Sequence, residues 1–247
     1  MAVSIAKNRL VIVAIVSSII VAFVANTSYA NLNKKPNIDG FAYWHGDPSQ
    51  PKIALTFDDG PNEPYTSEIL DILKKYNIKA TFFVLGKNVE RYPDAARRII
   101  KEGHVIGNHT YTHPYMLIKL KTGIKYEIQK TEQAIVSATN VKPHLFRSPY
   151  GLDSLWMYHA AKDLGYITIE WSVTGNNGGR EIKPEKIVDD VLKYTEDGSI
   201  ILLHDGNRLI QHFDRSHLVK ALPLIIESLQ KKGYQFVTVP VLLGTED

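Results

Sequence analysis

Ile53-Ala54-Leu55-Thr56-Phe57-Asp58-Asp59-Gly60 is a short apolar run of strand length that ends abruptly on two adjacent carboxylates. So continuous an apolar run predicts a strand covered on both faces, as in a parallel sheet flanked by helices. Beyond it two periodicities alternate. Ile69, Leu70, Leu73 and Tyr76 recur at helical spacing, Ala80–Leu85 is a second buried-strand run, and Pro93–Lys101 reads as a helix with Gly103 as its cap. Further strands are predicted at His104–Gly107, Leu145–Arg147, Tyr166–Val173, Ser199–Leu203 and Gln235–Val239. Helices are predicted at Ile124–Ala138, Ser154–Leu164, Pro184–Tyr194 and Leu218–Lys232, with Pro184 in a first turn and Gly165 and Gly233 as stops. Seven strands alternating with six helices in 247 residues are too many units for two Rossmann-like domains. The expected fold is α/β, a single closed or nearly closed barrel.

The odd polar residues then take on meaning. Asp58 and Asp59, Asn108 and His109, Arg147, Thr174–Asn177, and His204 and Asp205 each fall just past the end of a predicted strand. In a β/α barrel those ends converge on one face. Asp59, His109 and His113 there make a carboxylate–imidazole set suited to Zn²⁺ with open positions; Co²⁺, Ni²⁺ and Fe²⁺ accept the same donors. Asp58 is then free to act as a base on water, and the pattern reads as a hydrolase. Taken singly, Asp58-Asp59 could be a turn, Arg147 a surface cation and His204 a rim packing residue.

Composition bounds the setting. Hydrophobic residues make up 44% and charged residues 22%, there is no low-complexity tract, and Cys is absent, so the core and not disulfides must stabilise the chain. Residues 1–30 read as a signal peptide or an uncleaved N-terminal membrane anchor: Lys7 and Arg9 precede an apolar Leu10–Ala25 run, and Ser28-Tyr29-Ala30 is a small-x-small cleavage pattern. Residues 31–50 read as a linker and 51–243 as the barrel. Without Lys7 and Arg9 the formal charge of +3 falls to +1, which gives no reason to expect a nucleic-acid partner. A monomer, secreted or anchored outside a bacterial membrane, is expected.

Thr56-Phe57-Asp58-Asp59-Gly60, His109-Thr110-x-x-His113, Arg147-Ser148-Pro149-Tyr150-Gly151 and Leu202-Leu203-His204 stand in the order and spacing of the polysaccharide deacetylases, the NodB-homology group or carbohydrate esterase family 4. The chain resembles that family over about residues 50–242. The resemblance implies a distorted (β/α)7–8 barrel and metal-dependent removal of acetyl groups from N-acetylglucosamine units of a cell-wall glycan, peptidoglycan or a chitin-like oligomer. It further implies Asp59, His109 and His113 as metal ligands and Asp58 as general base paired with Arg147. Tyr150 would offer its backbone N–H to the oxyanion, Leu202 would line the acetyl pocket, Trp171 would help bind substrate, and His204 would protonate the leaving amine. One motif departs. Where the family carries an Asp-Trp pair after Trp171, this chain has Asn177-Gly178, so a charge beside His204 and a wall of the groove are missing, and Asp205 is the nearest replacement for the charge. Two alternatives follow: an O-acetyl esterase on a xylan-type polysaccharide, and a glycan-binding protein impaired in turnover.

Overall fold

The structure, a computed structural model, describes residues 37–245 apart from 39–40, 117–119, 152–153 and 179–181. The segment read as signal peptide or anchor lies outside the described residues. Among the described residues no helix is long and apolar enough to cross a membrane.

The strands are β1 (Ala42–Tyr43), β2 (Lys52–Asp58), β3 (Thr81–Val84), β4 (Val105–Asn108), β5 (Leu145–Phe146), β6 (Ile167–Ile169), β7 (Val173–Thr174), β8 (Ile200–His204) and β9 (Gln235–Phe236). The helices are α1 (Tyr65–Lys75), α2 (Gly86–Arg91), α3 (Pro93–Lys101), α4 (Lys121–Thr139), α5 (Leu155–Lys162), α6 (Pro184–Tyr194), α7 (Ser216–Lys231) and α8 (Val239–Leu243). Strand order is β1-β6-β5-β4-β3-β2-β8-β7, with β9 beside the start of β2. Every strand pairing is parallel. The sheet curls into a distorted barrel of the expected kind.

The distortion has a local cause. The single strand predicted over Tyr166–Val173 is two strands, β6 beside β5 and β7 at the far end of the path beside β8. Only Glu170, Trp171 and Ser172 join them, a reach of roughly 14 Å at most, so the two ends of the sheet face each other across that link. Three further differences stand out. β1 lies in the stretch read as linker, α2 follows β3 directly and was not predicted, and the last predicted strand shortens to β9 with α8 after it.

Strand alternation separates two cores. Leu55 and Phe57 of β2 and Ile201 and Leu203 of β8 point outward onto Ile69, Leu70 and Leu73 of α1 and Leu222, Ile225 and Ile226 of α7. Burying each of these side chains contributes about 1.5–3 kcal/mol. Ala54, Phe83, Leu145, Ile169 and Ile200 point inward, and α8 plugs that interior from below with Val239 and Leu242. Higher on the same inner face stand Thr56, Asp58 and Leu202. The interior is thus apolar at the strands' N-terminal ends and polar at their C-terminal ends, where the predicted residues collect.

Candidate active site

β2 delivers Asp58 on the inner face, and Asp59 immediately takes a left-handed φ of 73° that bends the chain as the strand ends. The Asn88 side-chain amide donates to the Asp59 carbonyl at 2.7 Å. The loop after β8 presses on the same carbonyl: a Cβ at Gly206 would lie 2.0 Å from it. Arg147, fully buried, runs through the barrel interior. Its Nη1 donates to Asp58 Oδ1 at 2.8 Å and to Thr56 Oγ1 at 2.7 Å. Its Nε and Nη2 donate to the carbonyls of Ile169 and Glu170, both at 3.0 Å. The guanidinium also lies 4.1 Å from the Phe83 ring centroid. A buried charge so fully paired is held in one place, and it leaves Asp58 Oδ2 free toward the site.

The histidine loop follows β4. Asn108 Oδ1 accepts the Thr110 N–H at 3.0 Å, and Thr110 and His113 both adopt left-handed φ, 70° and 59°. Glu127, from α4, accepts the N–H groups of Tyr111 and Thr112 and the Thr112 hydroxyl at 2.9–3.1 Å. His109 Nδ1 lies 2.8 Å from the Arg147 carbonyl, so that nitrogen carries the proton and Nε2 presents its lone pair. Burial, with His109 adding to it, pushes the His113 imidazole down to about 3, so His113 is neutral near pH 7.

The three side chains converge. Asp59 Oδ1 is 3.7 Å from His109 Nε2 and 3.4 Å from His113 Nε2, and His109 Nε2 is 3.6 Å from Asp58 Oδ2. One ligand atom from each of Asp59, His109 and His113 falls within 4.8 Å of the others. These separations are long for hydrogen bonds, and the buried Asp59 Oδ1 has no hydrogen-bond partner. A buried carboxylate oxygen facing two imidazole nitrogens without a hydrogen bond is costly unless a cation lies between them. The donor set fits a divalent metal.

Opposite this cluster, β8 ends at His204. Asn177 clamps it: Oδ1 accepts the His204 backbone N–H at 2.9 Å and lies 3.2 Å from Nδ1, while Nδ2 donates to the His204 carbonyl at 3.0 Å. Asn177 therefore orients His204 without supplying charge. Desolvation pushes the His204 imidazole down, against the pull of Asp59 and Asp58. Asp205 does not replace the missing charge. Its Oδ2 accepts the Thr66 hydroxyl at 2.6 Å, and burial raises its carboxyl to about 7. Beside Asn177, a Cβ at Gly178 would meet His204 Cε1 at 3.9 Å, an ordinary contact, so a side chain there would start against the His204 ring.

The remaining predicted residues stand around this cluster. Tyr150, at φ 65°, packs its ring edge-on to His113 at 4.5 Å and parallel to Tyr115 at 4.4 Å. Trp171 lies beneath the Pro149–Gly151 turn, where a Cβ at Gly151 would meet its ring at 2.5 Å. Leu202 sits on the inner face, level with Thr56 and Thr174. The sequence reading missed Glu127, Asn88, Arg208 and Arg215. Fully buried Arg215 donates to the Gly206 carbonyl (Nε, 3.0 Å) and to the Asn177 carbonyl, tying the two loops that frame His204. Glu127 and Asn88 sit on helices with ordinary surface-like polarity in sequence, and no motif marks Arg208 or Arg215.

Known proteins resemble this chain in sequence and fold. Residues 45–169 match the family described as Polysaccharide deacetylase. A peptidoglycan-N-acetylglucosamine deacetylase of Bacillus cereus is 38% identical over 215 residues, 86% of this chain and 97% of that protein. The crystal structure of the Bc1960 peptidoglycan N-acetylglucosamine deacetylase is 37% identical, covers 84% of this chain and 94% of its own, and superposes with a TM-score of 0.78. A CE4 family pseudoenzyme from Bacillus anthracis superposes with a TM-score of 0.77 at 30% identity, over 84% of this chain and 70% of its own. With its family match across half its length and its relative matched nearly end to end, the chain belongs to the polysaccharide deacetylase family.

Proposed function

We propose that this protein is a metal-dependent N-deacetylase that removes acetyl groups from N-acetylglucosamine units of a cell-wall glycan. The observation that carries this reading is the convergence of Asp59, His109 and His113 beside an Asp58 whose other oxygen is taken by Arg147. A divalent ion, Zn²⁺ by donor type, would be held by those three ligands; when bound it supplies Lewis-acid polarisation of the acetyl carbonyl and makes water more acidic. Asp58 Oδ2 accepts the proton of the attacking water, because Oδ1 is committed to Arg147. The Tyr150 backbone N–H donates to the carbonyl oxygen as negative charge develops there. Leu202 and Trp171 shape the acetyl and sugar sites. His204, with Nδ1 turned to Asn177, directs Nε2 at the departing amine and passes it a proton when the ring is charged, returning to the neutral imidazole. The apolar Leu10–Ala25 run supports a location at the cell envelope.

Asn177 favours one second reading, an O-acetyl esterase, because an alkoxide leaves more readily than an amine and needs less help from His204. Acetate release from peptidoglycan, N-acetylglucosamine oligomers and acetylxylan tests both. We expect release from the amino-sugar polymers that stops with a chelator and returns with Zn²⁺. Asp58→Asn should lower turnover about 10²–10⁴-fold with metal content unchanged. Release from acetylxylan alone would establish the esterase. No release with any metal, alongside tight glycan binding, would overturn both readings in favour of a binding protein.

A further inference from the structure

We infer that Arg208 forms an anion subsite beside the metal ligands, which selects glycans carrying a carboxylate next to the acetylated sugar over neutral chitin-like chains. The inference deepens the deacetylase reading and rests on it. Arg208 lies in the loop after β8, and its guanidinium carbon stands 4.8 Å from the centroid of the Tyr150 ring, whose edge touches His113. Its Nη1 donates to the Tyr150 hydroxyl, a neutral partner. Among the described residues no carboxylate lies within ion-pair distance of Arg208, nor of Arg91 or Arg215, whereas Arg97, Arg98 and Arg147 have one.

The contact with Tyr150 uses one nitrogen and leaves the Nε–Nη2 edge of the guanidinium. That edge is a planar two-donor fork matched to a carboxylate. Lys87, from α2, donates to the Arg208 carbonyl, which pins the loop and adds a second positive charge with no ion-pair partner among the described residues. Tyr115, half exposed and stacked on Tyr150, gives a neighbouring sugar ring a flat face beside the Arg208 cation. A neutral N-acetylglucosamine polymer offers the guanidinium only uncharged acceptors and no charge-assisted pair. In peptidoglycan the carboxylate could come from the lactyl ether of a muramic acid residue or from its stem peptide.

The test compares four substrates on the metal-loaded protein: a peptide-free N-acetylglucosamine–N-acetylmuramic acid oligosaccharide with free lactyl carboxylate, its methyl ester, the same oligosaccharide with an intact stem peptide, and an N-acetylglucosamine oligomer of equal length. The expected result is a kcat/KM for the free acid at least roughly 10-fold above its methyl ester, carried by KM and weakened by salt. Arg208→Gln should bring that acid-to-ester ratio close to one, and Arg208→Lys should keep part of it. A ratio cancels any general damage to the loop. A free-acid preference assigns the lactyl group; preference only for the peptide-bearing substrate assigns the stem peptide. Equal rates on acid and ester and on the peptide-bearing substrate, or a ratio unchanged in Arg208→Gln, would overturn the subsite. Calorimetric titration of the free acid and the ester into wild type and Arg208→Gln reads the subsite without turnover. Absence of acetate release from all four would sink the deacetylase reading, while the titration would still decide Arg208.

Discussion

Asn177 shows how much one atom decides at this site. An Asp in its place would bring charge to His204 Nδ1, but its second oxygen would face the His204 carbonyl, where the amide now donates at 3.0 Å. Asn177→Asp should therefore do two things at once. The nearby anion should raise the His204 pKa and increase amide turnover relative to ester turnover. The lost hydrogen bond should destabilise the fold by about 1–3 kcal/mol. Rates on an acetylated amino sugar and on an aryl acetate, with a denaturation curve, separate the effects. His104, away from the site, is a second case. Its Nδ1 accepts the Ala80 N–H at 3.1 Å, and burial pushes its imidazole down to about 4. The unfolded chain takes up that proton near pH 6.5 and the folded one only near 4. This contribution is complete above about 6.5 and is lost as pH falls toward 4, with a slope of at most about 1.4 kcal/mol per pH unit. His104→Gln, which keeps an acceptor, should flatten stability between those values; an unchanged slope relative to wild type would show that His104 does not titrate there.

At the scale of elements, the ligands depend on supports from elsewhere in the chain. The loop carrying His109 and His113 has two left-handed residues, Thr110 and His113, conformations that persist only when their surroundings impose them. Glu127 imposes them from α4 through three hydrogen bonds. Glu127→Ala should weaken metal binding about 10–100-fold, read by calorimetry, with the circular dichroism spectrum unchanged. The ligand pair was legible in the sequence because two histidines four residues apart after a strand are rare without purpose. Its support was not, because Glu127 is one of several polar residues along α4 and only packing shows which one meets the loop. The same holds for β6 and β7: Tyr166–Val173 has strand propensity throughout, and the break at Glu170–Ser172 follows from closing the sheet.

For the whole molecule, Asp59 follows β2 while His109 and His113 follow β4, with β3 between them. An ion gripping both loops binds only the assembled sheet, so it should stabilise the fold by about 2.7 kcal/mol at a free metal concentration 100 times Kd. Thermal melts with chelator and with added Zn²⁺ should show the higher midpoint in metal, and Asp59→Ala should abolish the difference. A midpoint indifferent to metal would show that no ion binds between these strands.

By itself the amino-acid order determined the alternating strands and helices, the barrel class, and the residues that stand at the strand ends, since periodicity and short motifs are local properties of the chain. Only the tertiary structure decided that Asn177 clamps the backbone of His204, that Asp205 turns to Thr66, and that Arg208 and Arg215 reach the site at all. The physical reason is distance along the chain: each of those contacts joins side chains on separate loops, and hydrogen bonds and charges act through space that only the closed sheet brings together.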